Sequence, residues 1–120
     1  MEPPVPASRV FIHGDEWKLE DIRDEIAWCR SKEGWELRRW ENRPALVDKY
    51  HTSPYRGQEL RTASQRIEPG GWTHDHCRIC WWALSEGDDP ASNQGYTYNG
   101  NSWVCVECFE QFVAPKDTRA

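Results

Sequence analysis

The 120-residue sequence lacks several features that mark membrane, secreted and nucleotide-binding proteins. It has no apolar run long enough to span a bilayer, and residues 1–11 contain no charged start followed by an apolar leader. It also has no glycine-rich phosphate loop, no nucleophile paired with a base and no close carboxylate pair in a recognisable motif. We therefore expect a soluble, cytoplasmic protein that has no enzymatic activity and no contact with a membrane.

Positive charge is also scarce. The chain has 15 Lys and Arg against 20 Asp and Glu, a formal net charge of −5. The excess of acid is greatest after residue 70, and an acidic surface disfavours binding to a phosphate backbone. Residues 36–66 carry a modest basic excess, which fits either a solvated sheet face or a nucleic-acid groove.

The most informative motif is a pair of Cys-x-x-Cys sequences. Cys77 and Cys80 form the first, Cys105 and Cys108 form the second, and 24 residues separate them. Four thiolates at this spacing can close a tetrahedral zinc site, with one ion per chain. Because four protein ligands leave no open position for water or substrate, the spacing predicts a structural ion rather than a catalytic one. Iron is the alternative, since four thiolates suit both metals.

Two other uses of cysteine compete with the metal site. A disulfide framework fits poorly with five cysteines and no leader, and a redox-active Cys-x-x-Cys fits poorly with a second pair nearby. The fifth residue, Cys29, shares helical spacing with Leu19, Ile22 and Ile26. We expect Cys29 to be a small buried residue.

Strand and helix signals surround the cysteine pairs. The polar stretch 87–95 and the extended segments 96–98 and 102–104 predict a hairpin between the pairs. Apolar residues at helical spacing predict a helix over 106–113. The predicted order is therefore a Cys-x-x-Cys turn (a zinc knuckle), a hairpin, a second such knuckle and a helix.

This order, over residues 72–114, resembles the treble-clef group of four-cysteine zinc fingers. The chain also resembles small bacterial proteins with a Trp-rich segment, a motif like that of residues 75–81 and an ending like that of residues 105–109. Treble clefs serve binding, structural and catalytic proteins alike, so this resemblance implies a fold and a metal but no task. Some compact acidic proteins of this size are antidotes that block toxins, so the second resemblance implies an inhibitory, immunity-type role.

The residues before the finger predict an N-terminal layer that packs on it. We expect an α+β fold with a single domain over 9–114, a Pro-rich arm over 1–8 and a flexible tail over 115–120. The predicted elements of the layer are a strand at 10–13, a helix at 19–32, a hairpin of 35–40 with 45–50, and a strand at 58–68 that ends at the Pro-Gly-Gly of 69–71.

Eight tryptophans are more than a core of this size can bury completely. We expect some to bind a protein partner, and the predicted contact residues are Trp35, Arg38, Arg39, Trp40 and Trp82. Trp81 and Trp82 are predicted to lie on a strand and to point to opposite faces. In the purely structural alternative, most of these rings pack between the N-terminal layer and the zinc finger. In the nucleic-acid alternative, the Arg and Trp residues of 35–66, Arg43 included, form a stacking and phosphate-binding surface.

The tripeptide His74-Asp75-His76 precedes the first cysteine. It invites a third hypothesis, a metal-dependent hydrolase or nuclease, but the glutamate of a deaminase motif and a further histidine on the following helix are missing. We expect no catalytic residue here. His76 is instead predicted to hydrogen-bond a metal-binding thiolate, or to be an alternative ligand.

Overall fold

The computed structural model describes residues 9–114, so the predicted arm 1–8 and tail 115–120 lie outside the described residues. The structure is a small mixed fold of strands with two helices. The strands within residues 9–114 are β1 (Arg9–Ile12), β2 (Asp15–Lys18), β3 (Glu36–Arg39), β4 (Arg43–Val47), β5 (Thr52–Pro54), β6 (Arg66–Trp72), β7 (Asp75–His76), β8 (Ala83–Leu84), β9 (Gln94–Tyr98) and β10 (Ser102–Cys105). The helices are α1 (Leu19–Arg30) and α2 (Val106–Cys108), and a π-helical turn, Phe109–Val113, continues α2.

The chain begins with a tight hairpin and a helix. β1 pairs antiparallel with β2 through a turn at His13 and Gly14, whose φ angles are +50° and +83°. β1 confirms the strand predicted at 10–13, whereas β2 was not predicted because its charged residues hide the strand signal. α1 buries Ile22, Ile26 and Cys29, as predicted, and ends at Arg30 rather than at Lys32.

The predicted hairpin of 35–40 with 45–50 is wrong. β3 pairs with β9 and so extends the β9–β10 hairpin, which was predicted correctly, into a three-stranded sheet. After β3 the chain enters the core instead of folding back: the Trp40 side chain is fully buried, and the backbone N–H of Trp40 donates to Asn93 O at 2.8 Å. β4 therefore starts a second sheet, with β5 and β6 as its neighbours.

The predicted break at 69–71 is also wrong, because β6 runs through it. A β-bulge between Arg43 and Ala45 of β4 absorbs the irregularity, and Gly70 adopts a φ of +68°. Gly71 lies so close to β4 that a Cβ placed on it would be 3.1 Å from Ala45 Cβ. Glycine therefore permits close packing here instead of ending the strand. The strand predicted at 58–68 is confirmed only from Arg66 onward.

The core contains all five cysteines, so the hydrophobic interior and the cysteine cluster are one unit. Around the sulfurs pack Ile12 from β1, Ile22 and Ile26 from α1, Trp40, and the π-turn residues Phe112 and Val113. The β5–β4–β6 sheet contributes one buried residue, Ala45, which lies outside this cluster. In the part of the chain that the structure describes, no helix has the length and apolar character needed to cross a membrane.

Candidate metal centre

Four cysteine side chains converge at the centre of the core. The Sγ atoms of Cys77, Cys80, Cys105 and Cys108 all lie within 4.8 Å of one another, and all four residues are buried. The fifth cysteine is not in this group, and none of the five forms a disulfide. The arrangement is one that could hold a single metal ion.

The first pair lies in the turn between β7 and β8. Cys77 N donates to Trp82 O at 2.7 Å and Cys77 O accepts from Trp81 N at 2.9 Å, which closes the turn. Inside it, the backbone N–H groups of Ile79 and Cys80 point at Cys77 Sγ from 3.3 and 3.5 Å. Such donors stabilise a thiolate.

The second pair joins β10 to α2. Cys105 is the N-cap of the helix, and its Sγ accepts from Cys108 N at 3.5 Å. Cys108 is in the first helical turn, so three residues of spacing place both sulfurs on one side. The helix therefore presents an N-terminus, with its partial positive charge, to the sulfurs.

Without a cation, four sulfurs this close cannot all ionise. Hydrogen bonds from the thiols of Cys105, Cys108 and Cys80 hold the pKa of Cys77 far below its ordinary value. The same crowding raises the pKa of Cys108, through its hydrogen bonds with Cys105 first and with Cys77 and Cys80 next. A divalent cation would remove this conflict, because it stabilises every thiolate at once.

A histidine that the sequence did not single out touches the cluster. His13 Nε2 lies 3.3 Å from Cys105 Sγ, and His13 Nδ1 lies 3.3 Å from Glu107 Oε1. The backbone N–H of His13 also donates to Glu107 Oε2 at 2.8 Å, and its ring stacks on Trp82 with centroids 3.6 Å apart. Three of these four contacts, those with Cys105 and Glu107, fasten the β1–β2 turn to the segment of the second cysteine pair.

His76, the histidine predicted to contact the thiolates, is placed elsewhere. Its ring stacks on Trp81, with centroids 4.0 Å apart and planes 2° from parallel, and meets His74 edge to face at 5.0 Å. Burial, followed by the neighbouring His74, lowers the pKa of His76. In residues 9–114 His76 makes no hydrogen bond to a cysteine sulfur, and its role as an alternative ligand stays a prediction.

Asp75 organises its surroundings through three hydrogen bonds. Its Oδ2 accepts from Arg43 Nη2 at 2.8 Å and from Trp40 Nε1 at 3.0 Å, and its Oδ1 accepts from Trp72 Nε1 at 3.2 Å. Both oxygens are thus occupied. This carboxylate joins β4, β6 and β7.

Of the five residues predicted to contact a partner, one is in the core and the others are half-buried or exposed. Trp40 has an exposed fraction of 0%, so its prediction as a partner contact is wrong: the ring that donates to Asp75 is packed inside the molecule. Trp35 and Trp82 are half-buried, with their indole N–H groups donating to Cys29 O and Ala91 O. Arg38 and Arg39 are exposed on β3, where Arg38 pairs with Glu36.

Trp81 was missed as a separate feature. Trp81 was predicted to lie on a strand, but it lies in the turn before β8. Its φ is +69° and its exposed fraction is 70%. A bulky residue in the left-handed region costs about 1–2 kcal/mol relative to glycine. No sequence signal could have revealed this, because the position is one where glycine is the expected residue.

Cys29 is buried, as predicted, with an exposed fraction of 0%. Burial raises the pKa of its thiol to about 12. The thiol is therefore neutral at physiological pH and is not a nucleophile.

No protein-family model, curated protein or solved structure matches this chain.

Proposed function

We propose that this chain is a non-enzymatic protein-binding module whose fold is held together by one structural zinc ion. The observation that carries the proposal is the buried group of four cysteine sulfurs within 4.8 Å of one another. Four thiolates fill a tetrahedral site, so the ion they hold supplies folding energy and has no position for a substrate.

Zinc is the metal we assign because it takes four thiolates without a redox change. A colourless protein with one zinc per chain supports this assignment, whereas a coloured, reducible centre would identify iron. The position of the pairs, one in the turn after β7 and one at the start of α2, supports the treble-clef arrangement.

Protein binding is the role that the surface supports best. Two of the basic residues proposed for a nucleic-acid surface already form ion pairs within the chain: Arg43 with Asp75, and Arg38 with Glu36. The Asp75 carboxylate of the hydrolase alternative accepts three hydrogen bonds, so a second metal would have to compete with Trp40, Arg43 and Trp72 for it. An exposed tryptophan such as Trp81 is instead typical of a protein-binding hot spot. The narrower, toxin-blocking role would make that partner a toxin.

The test is affinity capture with the zinc-loaded full chain, followed by purification of each captured protein and measurement of its complex at two salt concentrations. The proposal expects a complex of defined stoichiometry that survives nuclease treatment and depends weakly on salt. Binding that disappears with nuclease, or that weakens steeply with salt, would instead identify a nucleic-acid protein. A purified chain that forms no complex with any captured protein would contradict the proposal.

A further inference from the structure

A groove of about 470 Å³ lies between α1, β1 and the π-helical turn. It is separate from the cysteine cluster and from Trp81. Its lining combines apolar and basic side chains with one glutamine: Val10, Leu19, Ile26, Phe112, Arg9, Arg23, Arg30 and Gln111.

In the described part of the chain, basic side chains line this groove and acidic ones do not. Three arginines are present, although the chain as a whole has a net charge of −5. Arg9 pairs with Glu16 of β2, which is not part of the lining. Within residues 9–114, the side chains of Arg23 and Arg30 form no ion pair and no hydrogen bond. Two guanidinium groups are therefore free to pair with an anionic partner.

The sequence of α1 separates its charges onto different faces. Leu19, Ile26 and the two arginines follow the spacing i, i+4, i+7 and i+11, which places all four on one face of a helix. The acidic residues of α1 occupy other positions and do not line the groove: Glu20, Asp21, Asp24 and Glu25. The groove is therefore bordered by a stripe in which apolar and basic residues alternate.

The apolar part of the groove is partly accessible. Ile26 and Phe112 are each 8% exposed, whereas Val10 and Leu19 are half-buried. An apolar side chain that covered Val10 and Leu19 would gain stability from the surface removed from water. Phe112 belongs to the π-helical turn that follows Cys108, so the groove includes a segment next to the second cysteine pair.

The spacing of the two free arginines indicates the shape of the occupant. Arg23 and Arg30 are seven residues apart, which is a rise of about 10 Å along α1. Two carboxylates at that separation match them better than a single small anion does. A second helix supplies this separation by itself, because its own residues i and i+7 also rise by about 10 Å.

Other anionic occupants fit less well. A phosphate backbone would bring many negative charges to a chain whose net charge is −5, and it would leave the apolar residues uncovered. The chain's own ends lack the required acids: residues 1–8 contain one acidic side chain, Glu2, and residues 115–120 contain two basic side chains and one acidic. A protein segment with both carboxylates and apolar side chains matches the lining in full.

We propose that this groove binds an acidic amphipathic helix of a protein partner, in which two acidic residues flank an apolar one. Acidic residues at i and i+7 of that helix pair with Arg23 and Arg30, and an apolar residue at i+3 or i+4 lies over Leu19 and Ile26. A helix whose apolar face enters a groove is a common form of peptide recognition. The inference rests on the proposed protein-binding function, because it names the partner's chemistry and the surface that receives it.

The test measures, by fluorescence anisotropy, how tightly the zinc-loaded full chain binds a labelled helical peptide with glutamate at i and i+7 and leucine at i+3. The same peptide with both glutamates replaced by glutamine is the matched control, and oligothymidylate and phosphatidylglycerol vesicles represent the competing ligand classes. We expect saturable binding of the glutamate peptide and at least tenfold weaker binding of the other three. Equal or tighter binding of any of the three would overturn the inference, and so would a glutamate peptide that shows no saturable binding.

Two double variants with the same change of charge separate the groove from general electrostatic attraction. Arg23→Gln with Arg30→Gln should lower the affinity for the glutamate peptide about tenfold. Its resistance to urea should match that of the parent, because both side chains are exposed and glutamine suits a helix as well as arginine does. Arg39→Gln with Arg61→Gln removes two exposed arginines outside the groove and should leave the affinity within twofold. Equal affinities in the two double variants would overturn the inference.

The chain's own residues 1–8, which precede Arg9, are tested with one more variant. If these residues occupied the groove through Glu2, then Glu2→Gln would strengthen peptide binding at least tenfold, and that result would overturn the assignment to a partner. We expect the affinity of Glu2→Gln to stay within twofold of the parent.

Failure of this inference and failure of the proposed function give different results. If the glutamate peptide does not bind, yet the zinc-loaded chain forms a defined complex with a purified protein, then only the groove and the partner's chemistry are wrong. If the chain forms no complex with any captured protein, the proposed function itself falls.

Discussion

Replacing His13 with asparagine should weaken metal binding without altering any of the four cysteines. The parent imidazole reaches Cys105 Sγ and Glu107 Oε1 at 3.3 Å each and stacks on Trp82 at 3.6 Å. Asparagine tolerates the backbone φ of +50° that this position requires, so the change removes the ring with little new backbone strain. Partners that hydrogen-bond metal ligands contribute about 10–100-fold in metal affinity. We therefore expect a loss of that size, which corresponds to about 1.4–2.8 kcal/mol.

The assay is competition for zinc between the protein and a chromogenic chelator at fixed pH, with the dissociation rate measured in the same experiment. His51→Asn is the matched control, because His51 is exposed and lies outside the cysteine cluster. A double-mutant cycle with Glu107→Gln should give a coupling energy above about 0.5 kcal/mol, since the two side chains are in contact.

The reasoning is refuted if His13→Asn binds zinc within twofold of the parent. It is equally refuted if His51→Asn weakens binding as much, because the effect would then not depend on the contact with Cys105.

Three further changes test other parts of the account. Asp75→Asn should lower the free energy of unfolding in urea by about 2–3 kcal/mol, because it weakens charge-assisted hydrogen bonds from Trp40, Trp72 and Arg43; a loss under about 0.5 kcal/mol would contradict this. Gly71→Ala should lower it by about 1–3 kcal/mol, since the new Cβ would lie 2.9 Å from Glu68 Cβ and 3.1 Å from Ala45 Cβ; unchanged stability would show that β6 moves freely. The Cys29 thiol should not react with maleimide at pH 8 in the native protein, because a pKa of about 12 leaves about one thiolate in ten thousand. Mass-spectrometric detection of a rapidly labelled Cys29 would refute its burial.

The cysteine cluster could be predicted from the sequence because its determinants are local. Two residues between the cysteines of each pair fix the geometry of each turn, and the β9–β10 hairpin between the pairs also follows from local signals. The burial of Cys29 followed from helical spacing in the same way.

The features that could not be predicted depend on residues far apart in the chain. His13 and Cys105 are 92 positions apart, and no pattern near His13 indicates a thiolate. β3 was assigned to a hairpin with β4 because neighbouring strands often pair, yet its partner is β9, more than 50 residues later. Trp40 was predicted to be a surface contact because its neighbours are arginines, although the ring is buried against Asp75.

The central claim is that four cysteines hold one structural zinc ion. It is tested most directly by measuring metal content and thiol reactivity on the same native sample, before and after chelation. We predict one zinc per chain, four thiols that become reactive together as the metal leaves, and loss of the fold in the same step. A native chain without metal, or a metal that remains after Cys80→Ser and Cys108→Ser are combined, would contradict the account.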